Sequence, residues 1–245
     1  MIAFVIGVFA LAGLIKGTIG LGLPAVSMGL LTMVISPFQA ASLLIIPSMV
    51  TNFWQLFAEG RVLSLIRRFW PLLVGIIIGS VWSIFPTLGH SEFHSEALLG
   101  GMLALYGLYG LCAKKMPNLS RHDRWLAPII GYLGGALTVA TGVVVIPVVP
   151  YLQSLHLKRD DLVQALGLAF TTSTLCLAFF LQQNPLADQP IDYTLSAIAL
   201  IPALIGMGLG KKIRYRIPEQ KFRKIFFVGL IALGLYMIAH QVGWI

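Results

Sequence analysis

The chain has 245 residues, of which 58% are hydrophobic and only 11% charged, with a formal net charge of +8. A soluble domain carries about 25% charged residues, so this composition excludes a soluble enzyme or binding module and points to an integral membrane protein. Nucleic acid is excluded as a partner, because the basic residues stand in short clusters between long apolar runs rather than along one surface.

An apolar run of roughly 17–25 residues is the length of a membrane-crossing helix. From the N-terminus, residues 2–35 are apolar but interrupted by Lys16-Gly17-Thr18-Ile19-Gly20-Leu21-Gly22. The leading MIAFVIGVFALAG has no cation ahead of its apolar run, so it reads as mature structure and not as a signal peptide. Single spans follow at about 38–57, 69–86 and 96–113. Residues 126–155 form a second long segment, interrupted by Gly134-Gly135 and by Thr138-Val139-Ala140-Thr141-Gly142. Three more spans follow at about 161–181, 194–210 and 222–240. Cys112 and Cys176 both stand in apolar runs, which fits core packing better than a disulfide.

Charge sets the expected topology, because cytoplasmic loops are enriched in Lys and Arg. The basic loops hold Arg61, Arg67 and Arg68; Lys114, Lys115, Arg121 and Arg124; Lys158 and Arg159; and Lys211, Lys212, Arg214, Arg216, Lys221, Arg223 and Lys224. Residues 87–95 and 182–193 hold only the acids Glu92, Asp188 and Asp192. If each interrupted segment crossed once, a basic and an acidic loop would share a side. If each is a re-entrant hairpin, every Lys and Arg except Lys16 falls on the cytoplasmic face. Two short full spans per segment would give the same sidedness. Two arms of about 13 residues would each reach roughly 20 Å into a core of about 30 Å. The expected location is the cell (inner) membrane, with both termini outside.

The two halves resemble each other. Gly13-Leu14-Ile15-Lys16-Gly17 echoes Gly131-Tyr132-Leu133-Gly134-Gly135. Ser36 to Phe53 lies on Leu157 to Thr174 without a gap, which puts Thr51-Asn52 on Thr172-Ser173. Pro71, Gly75 and Gly79 echo Pro202, Gly206 and Gly210. The predicted fold is therefore an all-α polytopic membrane protein, a single membrane domain over 1–245. Repeat one covers about 1–115 and repeat two about 124–245. Each half is one re-entrant or broken helical hairpin plus three transmembrane helices. An odd number of crossings per half makes the repeat inverted, a recurring transporter design with its site between the repeats.

The G-x-x-x-G-x-x-G-x-G run from Gly13, followed by Ile46-Pro47-Ser48-Met49-Val50-Thr51-Asn52-Phe53-Trp54-Gln55, resembles the sulfite exporter TauE/SafE family. Gly131 to Pro147 and Gly206-Met207-Gly208-Leu209-Gly210 resemble it too, so the likeness spans nearly the whole chain. It implies transport of sulfur-containing anions such as sulfite, thiosulfate or organosulfonates, in either direction. The chain departs from the family's frequent glycine triplet, reading Gly20-Leu21-Gly22-Leu23 in the first hairpin and Gly142-Val143-Val144 in the second.

Lys16 is the central candidate. A lysine at the bilayer centre costs roughly 2.5–3.5 kcal/mol and normally faces a cavity or a partner. The nine acids all fall in loops or at span ends, which makes a substrate anion the expected counter-charge. The rival reading is a lysine that snorkels to an interface or ends the first half-helix. Gly17, Thr18, Gly20 and Gly22 would bring backbone N–H groups close to the anion; the rival is close helix packing. Ser48, Thr51, Asn52 and Gln55 offer hydroxyls and amides along the second span. Thr171, Thr172 and Ser173 are their counterparts, and Thr138, Thr141 and Gly142 line the second tip. Such groups donate to sulfonate oxygens without adding charge, or simply join helices. Gly75, Gly79, Gly206 and Gly210 read as packing positions. His90 and His94 flank Glu92 in an outer loop and read as solvated residues, not as a metal site. Trp54, Trp70, Trp82, Trp125 and Trp244 read as interface anchors.

The expected function is a secondary transporter of a small sulfur-containing anion by alternating access, with a passive anion channel of the same fold as the alternative. Its partners are the anionic substrate and the lipid bilayer. No cofactor or metal is implied, and an enzyme would need an in-membrane Asp pair, Ser–His pair or metal cluster that the sequence lacks.

Overall fold

The computed structural model describes residues 1–57, 60–88, 95–112, 118–183, 192–214 and 218–241. His90, Glu92, His94, Lys114, Lys115, Asp188, Arg216 and Trp244 lie outside the described residues. The described residues form ten α-helices and no strand: α1 (Ile2–Ile19), α2 (Leu23–Leu31), α3 (Pro37–Leu56), α4 (Val62–Val81), α5 (Ser95–Cys112), α6 (Asp123–Thr141), α7 (Val145–Ser154), α8 (Arg159–Gln183), α9 (Tyr193–Arg214) and α10 (Glu219–Gln241).

Both interrupted segments are broken helix pairs, but their arms are unequal. The helices α1 and α2 have 18 and 9 residues, and α6 and α7 have 19 and 10. The sequence led to two arms of similar length, because it treats every glycine as a possible break. Within these two segments only the glycines with a left-handed φ mark the breaks: Gly20 at 80°, Gly22 at 100° and Gly142 at 76°. Gly134 and Gly135, expected to interrupt the second segment, stay inside α6. At about 27 Å, α1 is itself nearly as long as the hydrocarbon core is thick.

Among the described residues, six helices are long and apolar enough to cross a membrane: α1, α4, α5, α8, α9 and α10. The helix α3 has the length but is absent from this set, since it carries Gln39, Ser48, Thr51, Asn52 and Gln55. Trp54, Trp70, Trp82 and Trp125 are all exposed, as interface anchors are.

The chain divides into two compact units. The first comprises Met1–Pro47, Ser91–Lys114 and Gln189–Ile245, and the second Ser48–His90 and Lys115–Asp188. Each unit thus contains residues from both halves of the sequence, and each contains a glycine-lined crossing between the two halves. In the first, α1 lies on α9. A Cβ at Gly13 would collide with the Ala203 backbone, at Gly17 with Met207, at Gly206 with Ala10 and at Gly210 with Leu14. In the second, α6 lies on α4. A Cβ at Gly131 would collide with the Leu72 backbone, at Gly135 with Ile76, at Gly75 with Pro128 and at Gly79 with Tyr132. Residue numbers rise together along both members of each pair, so the helices run parallel. A hydroxyl reinforces each crossing. Thr18 donates to the Leu14 carbonyl at 2.8 Å and lies 3.3 Å from the Gly210 carbonyl; Ser80 donates to Ile76 at 2.8 Å and lies 3.3 Å from Gly135. The glycine echoes in the sequence are therefore the matching faces of one kind of crossing, built twice from opposite halves of the chain.

Helix α3 contains Pro47, which has no N–H, so the Leu43 carbonyl loses its helical donor. Ser196 of α9 repairs this: its hydroxyl donates to Leu43 at 2.9 Å and accepts the Ile46 N–H at 3.3 Å.

Gly79→Ala should lower stability by about 1–3 kcal/mol through overpacking against the Tyr132 carbonyl. Gly208→Ala, where a Cβ meets nothing within 4 Å, should gain about 0.5–1 kcal/mol from helix propensity. Thermal unfolding of the two variants in one detergent checks both signs.

Candidate functional site

The first break is built in the first unit. Helix α1 closes with the Gly20 N–H donating to the Lys16 carbonyl at 2.8 Å. Gly22 is the N-cap of α2, and Pro24 in the first turn fixes the new direction. Gly22 is also crowded, since a Cβ there would sit 3.0 Å from Phe226 and 3.1 Å from Ile15. Gly20 has nothing within 4 Å, so its requirement is purely conformational. The N-terminus of α2 presents N–H groups that have no acceptor within the helix.

Lys16 is 4% exposed and lies in the last turn of α1, where the helix dipole favours a cation. Its depth follows from the crossing. Gly13 and Gly17 face Ala203 to Met207, which puts Lys16 roughly 20 Å along α9 from Tyr193, toward the end bearing Lys211 and Lys212. Thr18 is also buried, with its hydroxyl engaged in the crossing. Gly17 turns its bare face to α9, so its part in this geometry is close packing.

The second break belongs to the second unit. The Gly142 N–H donates to the Thr138 carbonyl at 2.7 Å. Measured from the left-handed glycine, Lys16 therefore corresponds to Thr138. The register of the crossing pairs it instead with Gly134, because α6 runs one turn further past its crossing than α1 does. Gly134 makes room for α7: a Cβ there would lie 2.6 Å from Val148. Thr138 donates to Gly134, and Thr141 donates to Leu137 and accepts the Val143 N–H. Both hydroxyl protons are thus used by the tip itself. At the other end of this pair, the Tyr151 hydroxyl donates to Asp123, whose second oxygen is 3.9 Å from Arg68.

The polar residues of α3 and α8 meet within the second unit. Asn52, fully buried, donates to Thr174 at 3.5 Å. Gly167 lets the backbones approach, since a Cβ there would lie 2.8 Å from the Leu56 nitrogen and 3.2 Å from the Asn52 carbonyl. Thr51 and Gln55 are buried on the same stretch of α3. Thr171, Thr172 and Ser173 donate to carbonyls of their own helix at 2.7, 3.0 and 3.1 Å. Ser48 is 1% exposed, and its hydroxyl has no partner among the described residues. Sequence patterning does not single out Gln164 or Thr174. Gln164 is fully buried and donates to the Leu56 carbonyl at 2.8 Å, closing the C-terminus of α3. Its signal is a lone amide in an apolar run, the same signal Asn52 carries.

A cavity of about 600 Å³ opens in the first unit among the starts of α1, α3 and α9, lined by Val5, Phe38, Gln39, Ser42 and Tyr193. Val5 is roughly 16 Å along α1 from Lys16, so this cavity is remote from the break.

The sequence profile described as Sulfite exporter TauE/SafE matches residues 5–237. The chain belongs to the sulfite exporter TauE/SafE family. Comparison with curated proteins and with solved structures returned no match. TauE/SafE membership and the six apolar helices together make this a multi-pass membrane transporter. The matched range takes in both broken hairpins and both glycine crossings of this TauE/SafE chain.

Gly20→Ala and Gly142→Ala should each cost about 1–2 kcal/mol from the left-handed φ alone. Asn at the same positions should cost less, because its side chain tolerates that region. Unfolding curves for the four variants test the order.

Proposed function

We propose that the protein is a secondary transporter for a small sulfur-containing anion, such as sulfite, thiosulfate or an organosulfonate, working by alternating access. The observation that carries this reading is Lys16: a cation 4% exposed beside a glycine break in a membrane helix, in a TauE/SafE chain. Helical backbone can break at membrane depth only where it is buried or lines a cavity. At the first break, Lys16 supplies the charge, and the backbone freed by Gly20 and Gly22 supplies directed donors. A doubly or singly charged oxyanion is the ligand that such a pairing suits.

Ser48, Thr51, Asn52 and Gln55, with Thr171, Thr172 and Ser173, form a neutral hydrogen-bonding patch within the second unit. The second tip, with Thr138, Thr141 and Gly142, repeats the break in the second unit without a charge. The repetition of one glycine crossing in both units supports descent from an inverted repeat, with repeat one about 1–115 and repeat two about 124–245 in a single membrane domain. The basic loops lie on the cytoplasmic side of the cell membrane and the termini outside, as the positive-inside rule requires.

Purified protein in liposomes tests the reading. Lys16→Ala should lower thiosulfate or sulfite flux by more than tenfold, about 1.4 kcal/mol of lost stabilisation. Lys16→Arg should retain part of it. Wild-type flux in the folded alanine variant would sink the proposal, and unitary currents in planar bilayers would reassign the protein as an anion channel.

A further inference from the structure

Tyr106 of α5 is 1% exposed, and its hydroxyl has no hydrogen-bond partner among the described residues. Buried tyrosines usually find a partner for that group, because leaving it unmet is costly. Packing alone gives no reason for the oxygen, since phenylalanine would fill the same space. The ring meets Phe227 of α10 edge-on, with centroids 5.4 Å apart and planes at 84°. Gly107 lets α10 close on α5 beside it, since a Cβ there would lie 2.6 Å from Ile231 and from the Phe227 carbonyl. The ring is therefore held, and the direction of the hydroxyl is held with it.

The surroundings place this residue near the first break, all within the first unit. Gly29 of α2 packs on Leu103, 2.9 Å from its missing Cβ, while Thr32 and Met33 share a small cavity with Glu96. Helices α2 and α5 thus run in opposite directions. Tyr106, one turn beyond Leu103, is level with Val26, in the first turn of α2 after Gly22. Helix α10 gives the same placement: Phe227 touches Tyr106, and its neighbour Phe226 is 3.0 Å from where a Gly22 Cβ would sit. Arg223, one turn earlier on α10, lies over the Phe227 ring at 5.7 Å.

We propose that the Tyr106 hydroxyl donates a hydrogen bond to the transported oxyanion when the anion occupies the first hairpin break. The proposal rests on the transporter reading and adds a substrate-contact residue to it. An oxyanion offers only acceptors, and a phenol supplies a donor without adding charge. The cost of the idle hydroxyl in the empty protein is recovered when the anion arrives, which favours the bound state.

Tyr106→Phe removes the oxygen and keeps the ring. In liposomes with thiosulfate as the probe, the variant should raise KM about tenfold. In detergent its Tm without anion should equal or exceed that of the wild type, while the rise in Tm on adding thiosulfate shrinks. Tyr109→Phe, on the same helix and only half-buried, should leave both unchanged. Wild-type KM and wild-type thiosulfate shift in Tyr106→Phe would overturn the proposal. So would a lower anion-free Tm with unchanged KM, or loss of folding, either of which assigns the hydroxyl to the structure. A wild-type protein that moves and binds neither thiosulfate nor sulfite overturns the transporter reading first, a result separable from the variant's.

Discussion

Backbone-to-backbone contact at glycine is the interaction on which the rest of this molecule depends. Lipid tails are as apolar as leucine, so helices in a bilayer gain little by hiding apolar side chains from their surroundings. What they gain is close packing, and that requires small residues where they cross. Gly13, Gly17, Gly206 and Gly210 close α1 on α9, and Gly131, Gly135, Gly75 and Gly79 close α6 on α4. These eight positions set how far each long hairpin arm is inserted beside its partner. The depth of Lys16, and of the breaks at Gly20 and Gly142, follows from them.

The breaks obey the second constraint, that no backbone polar group goes unmet where water is scarce. Each long arm ends by folding its last N–H onto its own carbonyl, Gly20 onto Lys16 and Gly142 onto Thr138. Most nearby hydroxyls serve the same end. Thr18, Thr138, Thr141 and Thr171 to Ser173 all donate to helix carbonyls. A threonine in such a chain is thus not by that fact a ligand. The polar atoms that stand out are those the helix does not use: the Ser27, Ser48 and Tyr106 hydroxyls, buried with nothing among the described residues to bond. Among the described residues, Lys16 is the charged side chain buried beside a break.

Much of the architecture is legible in the sequence. The spans emerge within a few residues except α4, which begins at Val62 instead of about 69. Arg67 and Arg68 end the apolar run but not the helix, because long basic side chains lay their stems along it; Arg68 reaches over Phe69 at 5.1 Å. The paired glycine motifs are also visible, as is the oddness of Lys16. The unequal arms are not, because glycine has two meanings. In a helix it costs about 1 kcal/mol relative to alanine and is kept for close approach; with positive φ it stops the helix. Gly134-Gly135 and Gly20 look alike as letters, and only their φ values separate them. Gln164 and Tyr106 look like ordinary members of apolar runs until their neighbours are known.

By itself the sequence determined that this is a multi-pass helical membrane protein of the TauE/SafE family, that its cations gather in a few loops, and that two glycine-rich segments differ from the rest. These are properties of local composition and order, which hydropathy and spacing report directly. Tertiary structure alone decided which half of the chain each glycine motif packs against, that Gly17 faces α9 while Gly22 faces Phe226, and which buried hydroxyls are consumed by their own helix. Most of those outcomes depend on contacts between residues far apart in the chain, from Gly79 and Tyr132 to Gly22 and Phe226, and on the sign of a single backbone angle. Neither is written in the local pattern.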